Sequence, residues 1–170
     1  MSAIKSMQDL FLHEMSDVYD AEHQLTAAME EMMATATNAE VKKGLQRHIK
    51  ETQQQIKNLD AAFKALKAEP EKVKCKGAAG LVAEYNGTAK DIKDATLLDG
   101  FICGAGVKAE HYEIESYKGL VDKAKLLGQP KAAELFEKNL AMEEAFATAC
   151  EELEKKLDQQ SPKAPAAKAA

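Results

Sequence analysis

Apolar side chains recur every three or four residues along four long stretches of the chain, as they do on the buried face of an amphipathic helix. Pro70 ends the second stretch, and the run Leu127-Gly128-Gln129-Pro130 separates the third stretch from the fourth. Asn38 and Asp94 are the expected N-caps of the second and third helices. The pattern predicts four long helices over residues 6–34, 39–67, 94–127 and 130–157.

A long connection separates the second predicted helix from the third. It covers residues 71–94, and Ala78–Tyr85 is expected to form one short helix inside it. Because a connection of this length reaches back along a bundle, the helices that it joins are expected to run parallel. The sequence therefore predicts an all-α four-helix bundle, with one domain over residues 1–158 and a disordered Ala/Lys/Pro tail over residues 159–170.

The amino-acid composition supports an all-α fold and argues against some functions. Aromatic residues make up only 5% of the chain and Trp is absent, which suits long helices better than a sheet. A net charge of −5, with a single arginine, argues against nucleic-acid binding. No run of 18 apolar residues and no N-terminal leader is present, so we expect a cytoplasmic protein with no membrane contact. The cysteines Cys75, Cys103 and Cys150 are expected to be reduced thiols.

Acidic residues interrupt the apolar stripe of each long helix. Glu22 is the only charged member of the first stripe, and Glu113 and Glu143 lie in the third and fourth. The remaining candidates lie on or beside these stripes, and the complete set is Glu22, His48, Glu51, Glu110, Glu113 and Glu143. A buried carboxylate is costly unless it is paired, protonated or bound to a cation. For any one Glu the alternative is a packed stem whose carboxylate reaches water.

Carboxylates and imidazoles from four helices form the ligand set of di-iron and di-manganese proteins. The spacing repeats, because Glu22 precedes Glu51 by 29 residues and Glu113 precedes Glu143 by 30. Two helical hairpins are thus predicted to supply ligands to one pseudo-twofold centre for two divalent ions, iron or manganese. Tyr19 and Tyr117 are each expected either to hydrogen-bond a ligand carboxylate or to pack in the core.

Several sequence runs resemble the YciE/YciF family of ferritin-like bacterial proteins. They are Leu12-His13-Glu14-Met15-Ser16-Asp17-Val18-Tyr19-Asp20-Ala21-Glu22, His48-Ile49-Lys50-Glu51-Thr52, Lys74-Cys75-Lys76-Gly77, Ala109-Glu110-His111-Tyr112-Glu113-Ile114 and Leu126-Leu127-Gly128. The resemblance covers residues 4–157 and implies a ferritin-like bundle, commonly a homodimer, linked to bacterial stress responses. By analogy with wider ferritin-like proteins, the metal ligands would be Glu22, Glu51, Glu110, Glu113 and Glu143.

The chain departs from the wider ferritin-like pattern at two positions. Such di-iron sites usually carry Glu-x-x-His on two helices, but here Gln54 follows Glu51 and Phe146 follows Glu143 at that spacing. His48, one turn before Glu51, is the expected substitute for the first missing imidazole, and nothing evident replaces the second. We therefore expect the centre either to hold one metal tightly and one weakly or to prefer hard ions.

Two functions follow from these features. The first is a stress-associated metalloprotein that oxidises Fe(II) or acts on O2 or peroxide. The alternative is a non-catalytic, dimeric helical protein with a structural or partner-binding role and a degenerate metal site.

Overall fold

The computed structural model describes residues 4–163, and within them every regular element is a helix. The five helices are α1 (Met7–Thr35), α2 (Ala39–Leu66), α3 (Lys76–Ala89), α4 (Ala95–Leu126) and α5 (Pro130–Gln160). The four long helices begin and end within one residue of their predicted bounds, except that α5 continues to Gln160. The predicted tail therefore begins inside the last turn of α5, and residues 164–170 of that tail lie outside the described part of the chain.

The helix ends are fixed by the residues that the sequence singles out. Asn38 accepts hydrogen bonds from the amides of Glu40 and Val41, and Asp94 accepts one from the amide of Leu97. These side chains satisfy amide groups that have no partner inside the helix. Both predicted N-caps are confirmed, and they set where α2 and α4 start.

The four long helices pack around one interior. α4 packs most extensively against α5, α2 lies between α1 and α5, and α1 completes the ring by packing against α4. α1 and α5 are diagonally opposite, as are α2 and α4, which touch only slightly. α3 lies outside this ring, against α1 and α4.

Two apolar clusters fill the two ends of the interior and reveal the helix directions. The Phe11 cluster includes Phe11, Phe63, Tyr117 and Phe136, which come from the start of α1, the end of α2, the end of α4 and the start of α5. The Met32 cluster, at the other end, includes Met32, Leu45, Ile102 and Leu157. α2 and α4 therefore run in the same direction, as the long connection predicts.

The cysteines and the hydropathy of the helices complete the description of the fold. Cys75, Cys103 and Cys150 are buried and free. None of the described helices is both long enough and apolar enough to cross a membrane.

Asp99 fixes the α1–α2 loop to the start of α4. Its buried carboxylate accepts hydrogen bonds from the amide of Thr37 (2.8 Å), the hydroxyl of Thr37 (2.6 Å) and the amide of Asn38 (2.9 Å). Hydrogen bonds to a charged group contribute more than neutral ones. This one side chain therefore joins the first helical hairpin to the second at the Met32-cluster end.

Replacing Asp99 with Ala should lower the free energy of unfolding by about 3 kcal/mol, because two amides and a hydroxyl lose their acceptor. Urea unfolding of Asp99→Ala would measure this loss, with Asp91→Ala as the control, since Asp91 is exposed. Equal stability of the two variants would show that the contacts of Asp99 do not hold the hairpins together.

Candidate metal centre

Four carboxyl groups and one imidazole lie in the interior between the two apolar clusters. Each of these side chains is at most 3% exposed. α1 contributes Glu22, α2 contributes His48, α4 contributes Glu110 and Glu113, and α5 contributes Glu143. One turn of helix separates Glu110 from Glu113, so both face inward together. Five of the six predicted site residues thus meet in one buried layer.

These five residues form two groups that share one member. The first group is His48, Glu110 and Glu143, and the second is Glu22, Glu113 and Glu143. Within each group, one ligand atom from every residue lies within 4.8 Å of the others. In the first group, Nε2 of His48 is 3.3 Å from Oε1 of Glu110 and 3.4 Å from Oε2 of Glu143. Glu143 therefore stands between two adjoining sites.

Several buried oxygens in this layer lack a hydrogen-bond donor. They are Oε2 of Glu110, Oε1 of Glu113, Oε2 of Glu143 and Oε1 of Gln55. Buried polar atoms in proteins are nearly always paired, and an unpaired one destabilises the fold. A bound cation would satisfy the carboxylate oxygens among them, and its positive charge would offset the negative charge of the ionised carboxylates. The donor set could therefore hold a metal ion.

Burial controls the protonation of these carboxyl groups. Removal from water, reinforced by repulsion from Glu143, raises the pKa values of Glu22 and Glu113 well above the ordinary range for Glu. Burial, reinforced by repulsion from Glu110, also raises the pKa of Glu143 well above that range. Burial raises the pKa of Glu110 to about 7. Protons and cations therefore compete for the same oxygens.

Glu51, the sixth predicted residue, lies on the other side of the His48 ring. Its Oε2 is 3.3 Å from Nδ1 of His48, and its Oε1 is 3.6 Å from Nε of Arg47. Its side chain is 32% exposed, and the hydrogen bond with His48 lowers its pKa. The structure places Glu51 outside both groups, so α2 presents an imidazole where the other long helices present carboxylates. Direct ligation by Glu51 stays a prediction, and the expected twofold repeat does not extend to its position.

Phe146 occupies one of the two positions where ferritin-like proteins usually have histidine. Its ring stacks on the imidazole of His48, with the centroids 3.8 Å apart and the planes 10° from parallel. The second such position holds Gln54, which donates a hydrogen bond to Asn58 at 3.0 Å. The position after Glu143 therefore holds an aromatic ring that packs flat against the imidazole of His48.

A layer of hydrogen-bonded polar side chains adjoins the carboxylates. The hydroxyl of Tyr117 donates to Glu22, and Nδ2 of Asn139 donates to that hydroxyl at 2.9 Å. Asn58 donates to Asn139 at 2.6 Å, and Gln55 donates to Glu143. Of the two alternatives predicted for Tyr117, the structure shows the hydrogen bond to a carboxylate. Tyr19 is half-buried and packs against the core instead, with its ring edge-on to that of Phe63.

Sequence reasoning missed the three buried amides of this layer, Gln55, Asn58 and Asn139. Their one signal is that they are polar residues at helix positions that face the interior. A single amide on such a face resembles an ordinary edge residue, so only the packing of α2 against α5 shows that the three act together.

Comparison with known proteins identifies relatives over most of the chain. Residues 6–162 match the family described as a domain of unknown function, DUF892. Protein YciF of Escherichia coli (strain K12) is 33% identical over 143 residues, which is 84% of this chain and 86% of YciF.

Solved structures share the fold. The crystal structure of the Escherichia coli stress protein YciF has a TM-score of 0.89 at 30% identity, covering 93% of this chain and 100% of YciF. YcfI of Rhodopseudomonas palustris, called a candidate structural protein, has a TM-score of 0.86 at 39% identity over 88% and 96% of the two chains. A protein of Xanthomonas campestris pv. campestris shares the fold at 22% identity, with a TM-score of 0.75 over 91% and 95%. The chain belongs to the DUF892 family of YciF-like proteins.

Proposed function

We propose that this protein is a ferritin-like four-helix bundle, with α3 as an extra helix in its long crossover, whose core holds a dinuclear centre of iron or manganese. One observation carries the proposal. Four buried carboxyl groups and His48 converge in two groups that share Glu143, and three of the carboxylate oxygens have no partner. Burying such an array without cations or protons is strongly unfavourable.

The two groups would bind metals with unequal strength. His48, Glu110 and Glu143 offer nitrogen and oxygen, a set that suits iron and manganese. Glu22, Glu113 and Glu143 offer only oxygen, which favours harder ions. This difference supports the expectation of one stronger and one weaker site.

Glu51 would act as a positioning residue for the imidazole. If it accepts a hydrogen bond from Nδ1 of His48, the lone pair on Nε2 faces Glu110 and Glu143. The ring of Phe146 restricts the same imidazole from its flat side. Together they would hold Nε2 toward the centre.

We propose that the centre acts in Fe(II) oxidation or in the handling of O2 or peroxide. When bound, iron or manganese supplies one-electron redox chemistry that no side chain of the layer offers. The chain itself would exclude bulk water and hold protons on carboxyl groups whose pKa values burial has raised. The description of the Escherichia coli relative as a stress protein agrees with this role.

We propose that the protein acts as a cytoplasmic homodimer.

A second candidate function is a non-catalytic structural or partner-binding role. The specific observation in its favour is that Gln54 and Phe146 stand where ferritin-like proteins usually have histidines. The description of the Rhodopseudomonas palustris relative as a candidate structural protein points the same way. Under this alternative the carboxyl groups of the core would stay protonated, and the protein would bind neither iron nor manganese.

Metal binding separates the two functions. Under the proposed function, Mn(II) at 100 times its Kd should stabilise the fold by about 2.7 kcal/mol. Glu113→Gln should lower the metal affinity of the group that contains Glu22, Glu113 and Glu143 by at least ~100-fold. Loss of a residue that only supports a ligand already lowers metal affinity about 10- to 100-fold. Metal analysis after purification without chelators, together with thermal unfolding in Mn(II), measures both effects.

Glu115→Gln is the matched control, because Glu115 is on the same helix and its side chain is 82% exposed. It should bind metal like the wild type. A wild-type protein that is purified without metal, and whose melting temperature neither Mn(II) nor Fe(II) changes, would rule out the metal centre and support the structural role.

The raised pKa values of the buried carboxyl groups predict that the metal-free protein becomes less stable as the pH rises. An unfolded Glu has a pKa of about 4.3, whereas burial raises that of Glu110 to about 7. The folded state therefore binds more protons between these values and loses stability as the pH rises from 5 to 8, by on the order of 3 kcal/mol for this one group. Urea unfolding in chelator at several pH values tests this. Glu110→Gln should have a shallower pH dependence, and a wild-type stability that increases toward pH 8 would contradict the account.

A further inference from the structure

A large cavity lies at the Met32-cluster end of the bundle and extends to the carboxylate layer. Its volume is about 700 Å³, and side chains from all five helices line it. The exposed members of its lining are all on α2 and α5, so the cavity opens between these two helices. Glu110 and Phe146 lie at its inner end. Its volume falls within the roughly 300–1,000 Å³ range of small-molecule sites.

The interior of the cavity is apolar and adaptable. Its wall includes Leu25, Met29, Met32, Leu45 and Ile102, all of which are buried. Methionine side chains adjust easily to the shape of a bound molecule. Protein cores are normally packed without large voids, so a space of this size suits an apolar guest.

The mouth of the cavity is basic along α2. Lys43, Arg47 and Lys50 follow one another at spacings of four and three, which places them on one helix face. Neither lysine forms an ion pair with any residue between 4 and 163, while Arg47 lies 3.6 Å from Glu51.

The α5 side of the mouth adds little opposing charge. Lys156 binds Glu40 across the opening, so these two charges cancel. Glu152 is the other carboxylate at the mouth. Because Arg47 is likewise paired with Glu51, the two unpaired lysines Lys43 and Lys50 face one acidic side chain, and the entrance favours a guest with a negative head group.

A small molecule suits this cavity better than a protein surface does. Protein interfaces have an apolar core with a polar rim, whereas this opening is ringed by charged side chains and its apolar surface is recessed. The large exposed apolar side chains between residues 4 and 163 are elsewhere and do not line the cavity: Ile4, Met7, Leu97 and Leu126.

We propose that this cavity binds a single-chain carboxylate amphiphile, such as a long-chain fatty acid. The carboxylate lies at Lys43, Arg47 and Lys50, and the hydrocarbon chain runs inward among the apolar side chains toward Phe146. Glu110 lies at the inner end of the cavity, but Lys43, Arg47 and Lys50 belong to neither metal group, so the head-group site does not depend on the proposed metal centre.

Binding is tested with saturated fatty acids on the full chain by calorimetry. Each methylene added between hexanoate and laurate should tighten binding by up to ~4-fold, the value for burying one CH2 group. Dodecanol, which has the same chain without the charge, should bind at least ~10-fold more weakly than laurate, because it lacks a charge-assisted contact. Equal affinity for the alcohol, or no binding of laurate, would overturn the proposal.

A cavity-filling variant locates the site. A Cβ atom added at Gly44 would have only Phe146 within 4 Å, at an ordinary contact distance of 3.9 Å, and Gly44 lines the cavity in mid-helix. Gly44→Phe should therefore fold and reduce laurate affinity at least ~10-fold. Gly87→Phe is the control, since Gly87 is in α3 and has open space around it. Unchanged affinity in a folded Gly44→Phe would place the ligand elsewhere and overturn the proposal.

The head-group contact has its own matched pair of variants. Lys43→Gln combined with Lys50→Gln should weaken laurate binding without affecting dodecanol. Lys42→Gln combined with Lys57→Gln removes two exposed lysines of α2 that do not line the cavity, and should leave both ligands unaffected. The affinity should be the same before and after dialysis against a chelator. Binding that is lost with the metal would assign the carboxylate to the metal centre and overturn the head-group site.

Discussion

The enclosure of Glu22, Glu110, Glu113 and Glu143 with one imidazole is the constraint on which the structure depends. Ionised carboxylates are expensive to remove from water, and these repel one another at close range. Cations or protons must neutralise them for the bundle to close. The amide layer and Tyr117 supply hydrogen bonds to only part of the array, and three carboxylate oxygens stay free for a cation.

The rest of the bundle holds this layer in place. The Phe11 cluster and the Met32 cluster pack the helices on either side of it, so the apolar ends stabilise a polar centre. Asp99 joins the two hairpins, and Phe146 stacks on His48, so the relative positions of α2 and α5 determine where the imidazole points. The empty volume next to Glu110 shows that packing is less complete on the side facing the basic mouth.

The helices and most of the site were predictable from the sequence because both depend on local periodicity. The spacing of apolar residues sets the helix faces, and Asn38 and Asp94 mark helix starts. The orientation of Glu51 was not predictable, because it depends on Arg47 and on which side of the His48 ring the carboxylate reaches. The amides Gln55, Asn58 and Asn139 were missed because their partners come from another helix.

Anomalous X-ray diffraction from crystals grown with Mn(II) locates bound ions and so tests directly whether the carboxylate layer holds a dinuclear metal centre. We expect two peaks in the anomalous difference map at the manganese edge, both next to Glu143. One should lie beside His48 and Glu110, and the other, weaker peak beside Glu22 and Glu113. A map without a peak in this layer at saturating Mn(II) would contradict the proposed metal centre.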